Sequence, residues 1–153
     1  MKLNNLYCES INFRVVAIDP EDEWELAEKA DMVSKATGIR TGRKDTTFVA
    51  VDAGDQDKVI GAIYDSIINT EEGMEYSFDV VVDPAFQRSG VGSALIDAAI
   101  RKYRELAQDL DNLYAKVWVI NPILVSVLER RGFELESGRD WHPNEPFMVY
   151  YGR

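Results

Sequence analysis

Cysteine and histidine are almost missing from this sequence, and long apolar runs are missing altogether. The 153 residues contain one cysteine, Cys8, and one histidine, His142. A single cysteine excludes an internal disulfide and favours a reducing compartment. No apolar run approaches the roughly 20 residues of a membrane span, and the start of the chain lacks the apolar stretch of a secretory signal. We therefore expect a cytoplasmic protein that does not enter a membrane.

Basic residues are scarce relative to acidic ones. Lysine and arginine total 17 against 27 aspartates and glutamates, which gives a formal net charge of -10. This balance opposes binding to a phosphate backbone, so nucleic acid is not an expected partner. Residues 19–31 are dominated by acids and would attract a cationic ligand if they lined a site. The alternative is that the negative charge only keeps the protein soluble.

The length and the 46% hydrophobic content fit a single domain, residues 1–153, with one core. Strand patterns dominate the first half, and helical patterns alternate with strand patterns after residue 83. We therefore expect an α/β fold with a central mixed sheet of about six to seven strands flanked by about four helices. Strands are predicted over 12–18, 46–52, 58–68, 74–83, 113–120, 132–136 and 147–152, and helices over 19–36, 90–107 and 122–131. Asp19 is the expected N-cap of the first helix, and Gly38 and Gly132 are expected to end the first and the last helix.

The stretch "AFQRSGVGSAL", which begins at Ala85, places two glycines where a helix begins. Gly90 and Gly92 each cost about 1 kcal/mol relative to alanine inside a helix, so their presence needs a reason. A helix N-terminus offers unpaired amides and the positive end of the helix dipole, and glycine lets a phosphate approach them. Residues 84–96 contain no acid, and Arg88 adds a positive charge. The stretch predicts an anion site, unless the glycines only allow close packing of helix on sheet.

Two common phosphate loops do not fit this stretch. A Walker A loop requires a lysine directly after Gly92, and a dinucleotide fingerprint requires a third glycine where Leu95 stands. The spacing [QR]-x-x-G-x-[GA], after a strand and opening a helix, instead resembles the pyrophosphate loop of the GNAT superfamily of acyl-CoA-dependent N-acyltransferases. Gln87, Gly90 and Gly92 occupy its three defining positions.

A second match to the same family lies downstream. The family tends to carry an asparagine, a short helix and then Gly-Phe, and "NPILVSVLERRGFE" supplies Asn121, Gly132 and Phe133 in that order. The predicted order of strands and helices also resembles the family's fold over essentially the whole chain. Asn121 has two readings that can coexist, a polar contact to the cofactor arm and the N-cap of the helix that Pro122 begins.

The resemblance implies acetyl-CoA as co-substrate. Loop amides would hold the CoA pyrophosphate, with Arg88 as an extra charge partner. The pantetheine arm would pair with the backbone of the preceding strand, whose valine side chains would lie in the core. One amide of that strand would polarise the thioester carbonyl. The implied cofactor-binding residues are Val80, Val81, Val82, Gln87, Arg88, Ser89, Gly90, Val91, Gly92, Ser93 and Asn121.

The resemblance also implies an N-acetyltransferase, in which an acceptor amine attacks the thioester directly in a ternary complex. An alkyl ammonium of pKa near 10.4 is only about 0.04% deprotonated at pH 7, so a group must accept its proton. The catalytic candidates are Glu75, Tyr76 and His142, with Asp79 and Glu145 as further acids, and no metal is expected. The acceptor is expected to be a primary amine of a small molecule or peptide, and the acidic segment favours a cationic one.

One family feature is missing. Many members protonate the leaving CoA thiolate with a tyrosine four residues before the Gly-Phe glycine, and Leu128 occupies that position. Water could protonate the thiolate instead, because a thiol has a pKa near 8.5. The alternative function is therefore a CoA-binding sensor or interaction module without turnover. By analogy with the family, the late stretch "FMVYY" could present the edge of a homodimer.

Overall fold

The computed structural model describes residues 6–9, 12–38, 44–55, 57–87, 89–118, 122–136 and 147–151. The chain divides into two compact units. The first comprises Met1–Asp65 and Asp79–Arg101, and the second comprises Ser66–Phe78 and Lys102–Arg153. The single domain expected from the sequence stays a prediction.

Strands and helices alternate largely where the sequence patterns place them, which confirms the mixed α/β class. The described residues form eight strands, where six or seven were expected, and three α-helices, where four were expected. The additional strand is the first one, for which the sequence analysis made no prediction. The strands are β1 (Leu6–Glu9), β2 (Phe13–Ala17), β3 (Asp45–Asp52), β4 (Val59–Thr70), β5 (Gly73–Val82), β6 (Leu113–Trp118), β7 (Glu134–Glu136) and β8 (Phe147–Tyr151), and the helices are α1 (Trp24–Thr37), α2 (Val91–Asp109) and α3 (Pro122–Glu129).

The first unit contains an antiparallel run of strands in the order β1-β2-β3-β4. Alternate residues of a strand share one face of a sheet, and such positions form a continuous apolar cluster here. Ala30 and Val33 of α1 belong to this cluster, and so does Val81 of β5. Helix α1 therefore covers one face of this part of the sheet. The strand residues of the cluster are Val16, Val49, Val51, Val59, Ala62, Tyr64 and Val81.

Helix α1 begins later than the sequence predicts. The expected N-cap was Asp19, but the helix begins at Trp24. The Asp19 carboxylate instead accepts the Glu21 amide at 3.0 Å, and the Asp19 carbonyl accepts the Glu23 amide at 2.8 Å, which makes a turn before the helix. The predicted end is confirmed, because Gly38 adopts a left-handed φ of +71° directly after the last turn.

The second unit combines parallel and antiparallel pairing in the strand order β5-β6-β8-β7. β5 pairs with β6 in parallel, and β8 pairs antiparallel with β6 on one side and with β7 on the other. The expectation that "FMVYY" presents a free edge is therefore wrong, because β8 has a neighbour on both sides. The homodimer itself stays a prediction. None of the described helices has both the length and the hydrophobicity of a bilayer span.

Candidate functional site

The connection from β5 to α2 is fixed at its entrance by Asp83. The Asp83 amide donates to the Ile60 carbonyl at 2.8 Å, which holds the end of β5 against β4. The Asp83 carboxylate accepts the Ala85 amide at 2.9 Å and begins a short 3-10 turn over Pro84–Phe86. Backbone and side chain of one residue thus set the direction in which the loop leaves the strand.

Gly90 is the N-cap of α2 and faces open space. Its φ of +88° is left-handed, and a Cβ built there would meet no described part of the chain within 4 Å. The Gly90 carbonyl accepts the Ala94 amide at 3.1 Å, which is the first bond of the helix. The amides of residues 91–93 have no partner inside the helix, and its first turn contains no acid. Gln87, Ser89 and Gly90 are exposed, so an anion can approach this N-terminus from outside.

Gly92 differs from Gly90 in its surroundings. A Cβ at this position would lie 3.6 Å from Val82 Cγ2, which is ordinary van der Waals contact. The first turn of α2 therefore packs onto the end of β5 at Gly92. Close packing of helix on sheet explains the glycine at position 92. It does not explain the glycine at position 90, where the Cβ position is open.

A third glycine, Gly61 of β4, was missed by the sequence analysis. A Cβ here would lie only 2.9 Å from the Val81 carbonyl oxygen and from Leu95 Cδ1, and 3.1 Å from Val91 Cγ1. Gly61 therefore lets side chains of α2 and the backbone of β5 both approach β4 closely at this point. An isolated glycine inside a strand pattern is the signal that could have indicated this close approach.

The pairing of β5 with β6 ends before β5 does. The ladder runs from Met74–Leu113 to Ser77–Lys116, whereas β5 continues to Val82. In the described residues, the later part of β5 thus has backbone groups outside this ladder. Val81 is fully buried as expected, but Val80 and Val82 are half-buried rather than in the core, since they point to the opposite face from Val81.

An ion pair lies at the start of this strand segment. Lys44 Nζ is 3.1 Å from Asp79 Oδ2, and the two side chains are only 17% and 11% exposed. Burial raises the pKa of Asp79 above its usual value, and the Lys44 charge opposes only part of that shift. Asp79 is therefore a stronger base than an exposed aspartate.

A second polar cluster in the first unit joins α1 to β4. The Tyr64 hydroxyl donates to the Asp31 carboxylate of α1. Burial, and then the hydrogen bond to Asp31, raise the pKa of Tyr64, while a hydrogen bond with Thr46 opposes the shift. The phenol therefore stays protonated at neutral pH. This cluster holds α1 on β4.

Glu75 lies in the second unit among polar partners. Glu75 Oε1 accepts the Tyr114 hydroxyl at 3.2 Å and lies 3.8 Å from Lys116 Nζ. The Tyr114 hydroxyl is also 3.0 Å from Thr70 Oγ1. Burial raises the pKa of Tyr114; the Thr70 hydrogen bond opposes this, and the Glu75 charge adds to it. Glu75 is thus held by a tyrosine and a lysine on the neighbouring strand.

The other predicted catalytic residues are placed differently. Tyr76 is fully buried, and its ring stacks on Tyr103 with centroids 6.0 Å apart; its catalytic role stays a prediction. Leu128 is also fully buried. In the described part of the chain, no group of three or more His, Cys, Asp or Glu side chains could hold a metal ion. Four predicted or candidate site residues lie outside the described residues: Arg88, Asn121, His142 and Glu145.

Comparison with known proteins gives a family match. The model of the Acetyltransferase (GNAT) family matches residues 9–133. The search of curated proteins found no match. The chain in the NatC complex bound to Gag peptide and CoA has a TM-score of 0.65 at 15% identity, covering 94% of this chain and 99% of that one.

Two further solved structures have the same fold. Naa50 of Arabidopsis thaliana, in complex with the bisubstrate analogue CoA-Ac-MVNAL, has a TM-score of 0.63 at 13% identity and covers 94% of this chain and 100% of its own. The ribosomal-protein-S5-alanine acetyltransferase of Vibrio fischeri has a TM-score of 0.63 at 18% identity, with 94% and 93% covered. The family match covers most of the 153 residues and confirms the resemblance drawn from the loop, so the chain belongs to the GNAT family of acetyltransferases.

Proposed function

We propose that this acyltransferase moves an acetyl group from acetyl-CoA to a primary amine of a small molecule or peptide, by direct attack in a ternary complex. The observation that carries the proposal is the open N-terminus of α2 at Gly90, directly after a strand whose ladder has ended. Two of the solved structures named above hold CoA or a CoA-linked analogue, which supports the same ligand here. The single cysteine favours a cytoplasmic setting for this reaction.

The loop would hold the diphosphate through its backbone. Amides of residues 91–93 carry the positive end of the α2 dipole, worth about 0.3–1 kcal/mol for an exposed anion. Gly90 has a left-handed φ, and its absent Cβ leaves room for phosphate oxygens. Arg88 is proposed as an additional charge partner.

The pantetheine arm would extend along the part of β5 that lies beyond the β6 ladder. Backbone groups of Val80–Val82 would pair with the amides of the arm, as an added strand does at a sheet edge. One amide of this segment would also donate to the thioester oxygen as negative charge develops on it during attack. Gly61 keeps the Val81 backbone close to β4 and α2, and so fixes the direction of these groups.

Of the candidate bases in the described residues, Asp79 has the environment that best suits a proton acceptor. It directly precedes Val80, and burial raises the pKa of its carboxyl, which strengthens it as a proton acceptor. Tyr76 and Glu75 stay predictions, the former packed among rings and the latter bonded to Tyr114. The acidic segment of residues 19–31 supports a cationic acceptor.

The departing thiolate would take its proton from water. The buried Leu128 offers no donor at the position where many relatives have a tyrosine. A thiol of pKa near 8.5 needs only a weak acid, so this replacement is compatible with turnover. The same observation is what favours the alternative of a CoA sensor on this fold.

The loop is tested by Gly90→Ile, with Gly38→Ile as matched control. Both glycines have a left-handed φ and open space at the Cβ position, so both variants carry similar backbone strain. We expect Gly90→Ile to abolish CoA binding in titration calorimetry, while Gly38→Ile binds CoA like the parent protein. Equal loss in both variants, or in neither, would contradict the proposed loop. Thiol release from acetyl-CoA with a panel of amines then separates the transferase from the sensor, which would bind CoA and release none.

A further inference from the structure

Lys44 is a primary amine held beside the carboxylate that we assign as base. We propose that Lys44 is itself an acetyl acceptor, so that the protein acetylates its own Lys44 from bound acetyl-CoA when no external amine is present. The inference rests on the proposed function, because it takes the cofactor position at the loop and along β5 as given.

The placement of the two side chains carries this inference. Lys44 Nζ lies 3.1 Å from Asp79 Oδ2, and Asp79 directly precedes Val80, where the proposed pantetheine segment begins. Successive residues of a strand advance by about 3.3 Å, so an arm that ends at Val80, as proposed, would bring its thioester within a few residue lengths of the amine. An acceptor amine bound to Asp79 from solution would place its ammonium where the Lys44 ammonium now stands.

The reaction balances with groups already named. Asp79 takes one proton from the Lys44 ammonium, and the neutral Nζ attacks the thioester carbonyl carbon. The C–S bond breaks as the N–C amide bond completes, and the CoA thiolate leaves. A further proton is released from nitrogen as the amide forms, and water carries it to the thiolate or to bulk solvent. The products are acetylated Lys44 and free CoA.

The burial of Lys44 allows a decisive test. Acetylation from solution should modify exposed lysines first, whereas acetylation from bound acetyl-CoA should modify Lys44 first. Lys44 is only 17% exposed, whereas Lys35 and Lys58 in the same unit are exposed. Acetyl-CoA that reacts from solution should therefore modify Lys35 and Lys58 before Lys44. Faster labelling of Lys44 requires delivery from a bound cofactor.

The experiment incubates the full chain with acetyl-CoA alone and follows acetylation of each lysine by peptide mass spectrometry. We expect Lys44 to be labelled at least about 100-fold faster than Lys35 or Lys58, the range that positioned proton transfer provides. The rate should not depend on protein concentration, because the step is intramolecular. Labelling of Lys44 no faster than that of Lys35 and Lys58 would overturn the inference.

Variants separate this inference from the proposed function. Asp79→Asn should slow Lys44 labelling at least about tenfold and leave Lys35 unchanged, and Asp79→Glu, which keeps the carboxylate, should restore part of the rate if Asp79→Asn unfolds. Unchanged Lys44 labelling in folded Asp79→Asn contradicts the role of Asp79. CoA binding and amine turnover are measured on the same samples. If both are present without Lys44 labelling, only this inference fails; if CoA does not bind, the proposed function fails first.

Discussion

Replacing Gly61 by alanine tests whether β4 lies in close contact with the β5 backbone that is proposed to hold the cofactor. The new Cβ would lie 2.9 Å from the Val81 carbonyl oxygen, compared with the 3.4 Å at which ordinary contact begins, so about 0.5 Å of movement is required. Leu95 can rotate away, but the Val81 oxygen belongs to a strand backbone and cannot. The clash must therefore displace β5 or be absorbed as strain.

Overpacking of this kind costs about 1–3 kcal/mol. For a chain of 153 residues, each kcal/mol lowers the melting temperature by about 2–4 °C, so a drop of roughly 4–8 °C is expected for a cost near 2 kcal/mol. Scanning calorimetry measures this drop. Because the displaced atom belongs to Val81, CoA affinity should also fall, by about tenfold, which corresponds to about 1.4 kcal/mol in titration calorimetry.

Gly54→Ala is the matched control, since it is the same substitution in the turn that precedes β4. A Cβ at Gly54 would lie 3.6 Å from Asp52 Oδ2, which is ordinary contact, and Gly54 is exposed. Its melting temperature and CoA affinity should stay near those of the parent protein. A Gly61→Ala protein that melts and binds CoA like Gly54→Ala would refute the close approach of β4 to β5.

Two further outcomes follow from the contacts of the first unit. Tyr64→Phe removes the hydroxyl that donates to Asp31 and should lower the free energy of unfolding by about 1–2 kcal/mol in urea titration; an unchanged midpoint would contradict that bond. Burial raises the pKa of Asp79, so the native protein binds this proton more tightly than the unfolded chain. The contribution of Asp79 to the unfolding free energy should therefore fall as pH rises from about 4 through the raised pKa, and Asp79→Asn should lack this fall in urea titrations at several pH values.

Local signals in the sequence predicted most strands and the ends of two helices. The termini at Gly38 and Gly132 were predictable because both residues adopt a left-handed φ that favours glycine. The start of α1 was not, since an aspartate followed by proline suits both an N-cap and the turn that Asp19 forms. The loop at Gly90 was also predictable, because its sequence pattern is contained in a few consecutive residues.

Contacts between distant residues could not be predicted. Lys44 and Asp79 are 35 positions apart and meet only because β3, β4 and β5 fold back on one another. The close approach at Gly61 depends in the same way on strand register and on the position of α2. The spacing of residues along the sequence predicts the phosphate loop. The neighbours of the proposed base cannot be predicted in this way, because they depend on tertiary packing.

The early end of the ladder between β5 and β6 also has a consequence for handling the purified protein. Among the described residues, backbone donors and acceptors of β5 beyond this ladder would pair with any extended peptide, including the same segment of another molecule. A bound pantetheine would occupy these groups. Samples saturated with CoA should accordingly resist self-association at concentrations where ligand-free samples sediment as larger species.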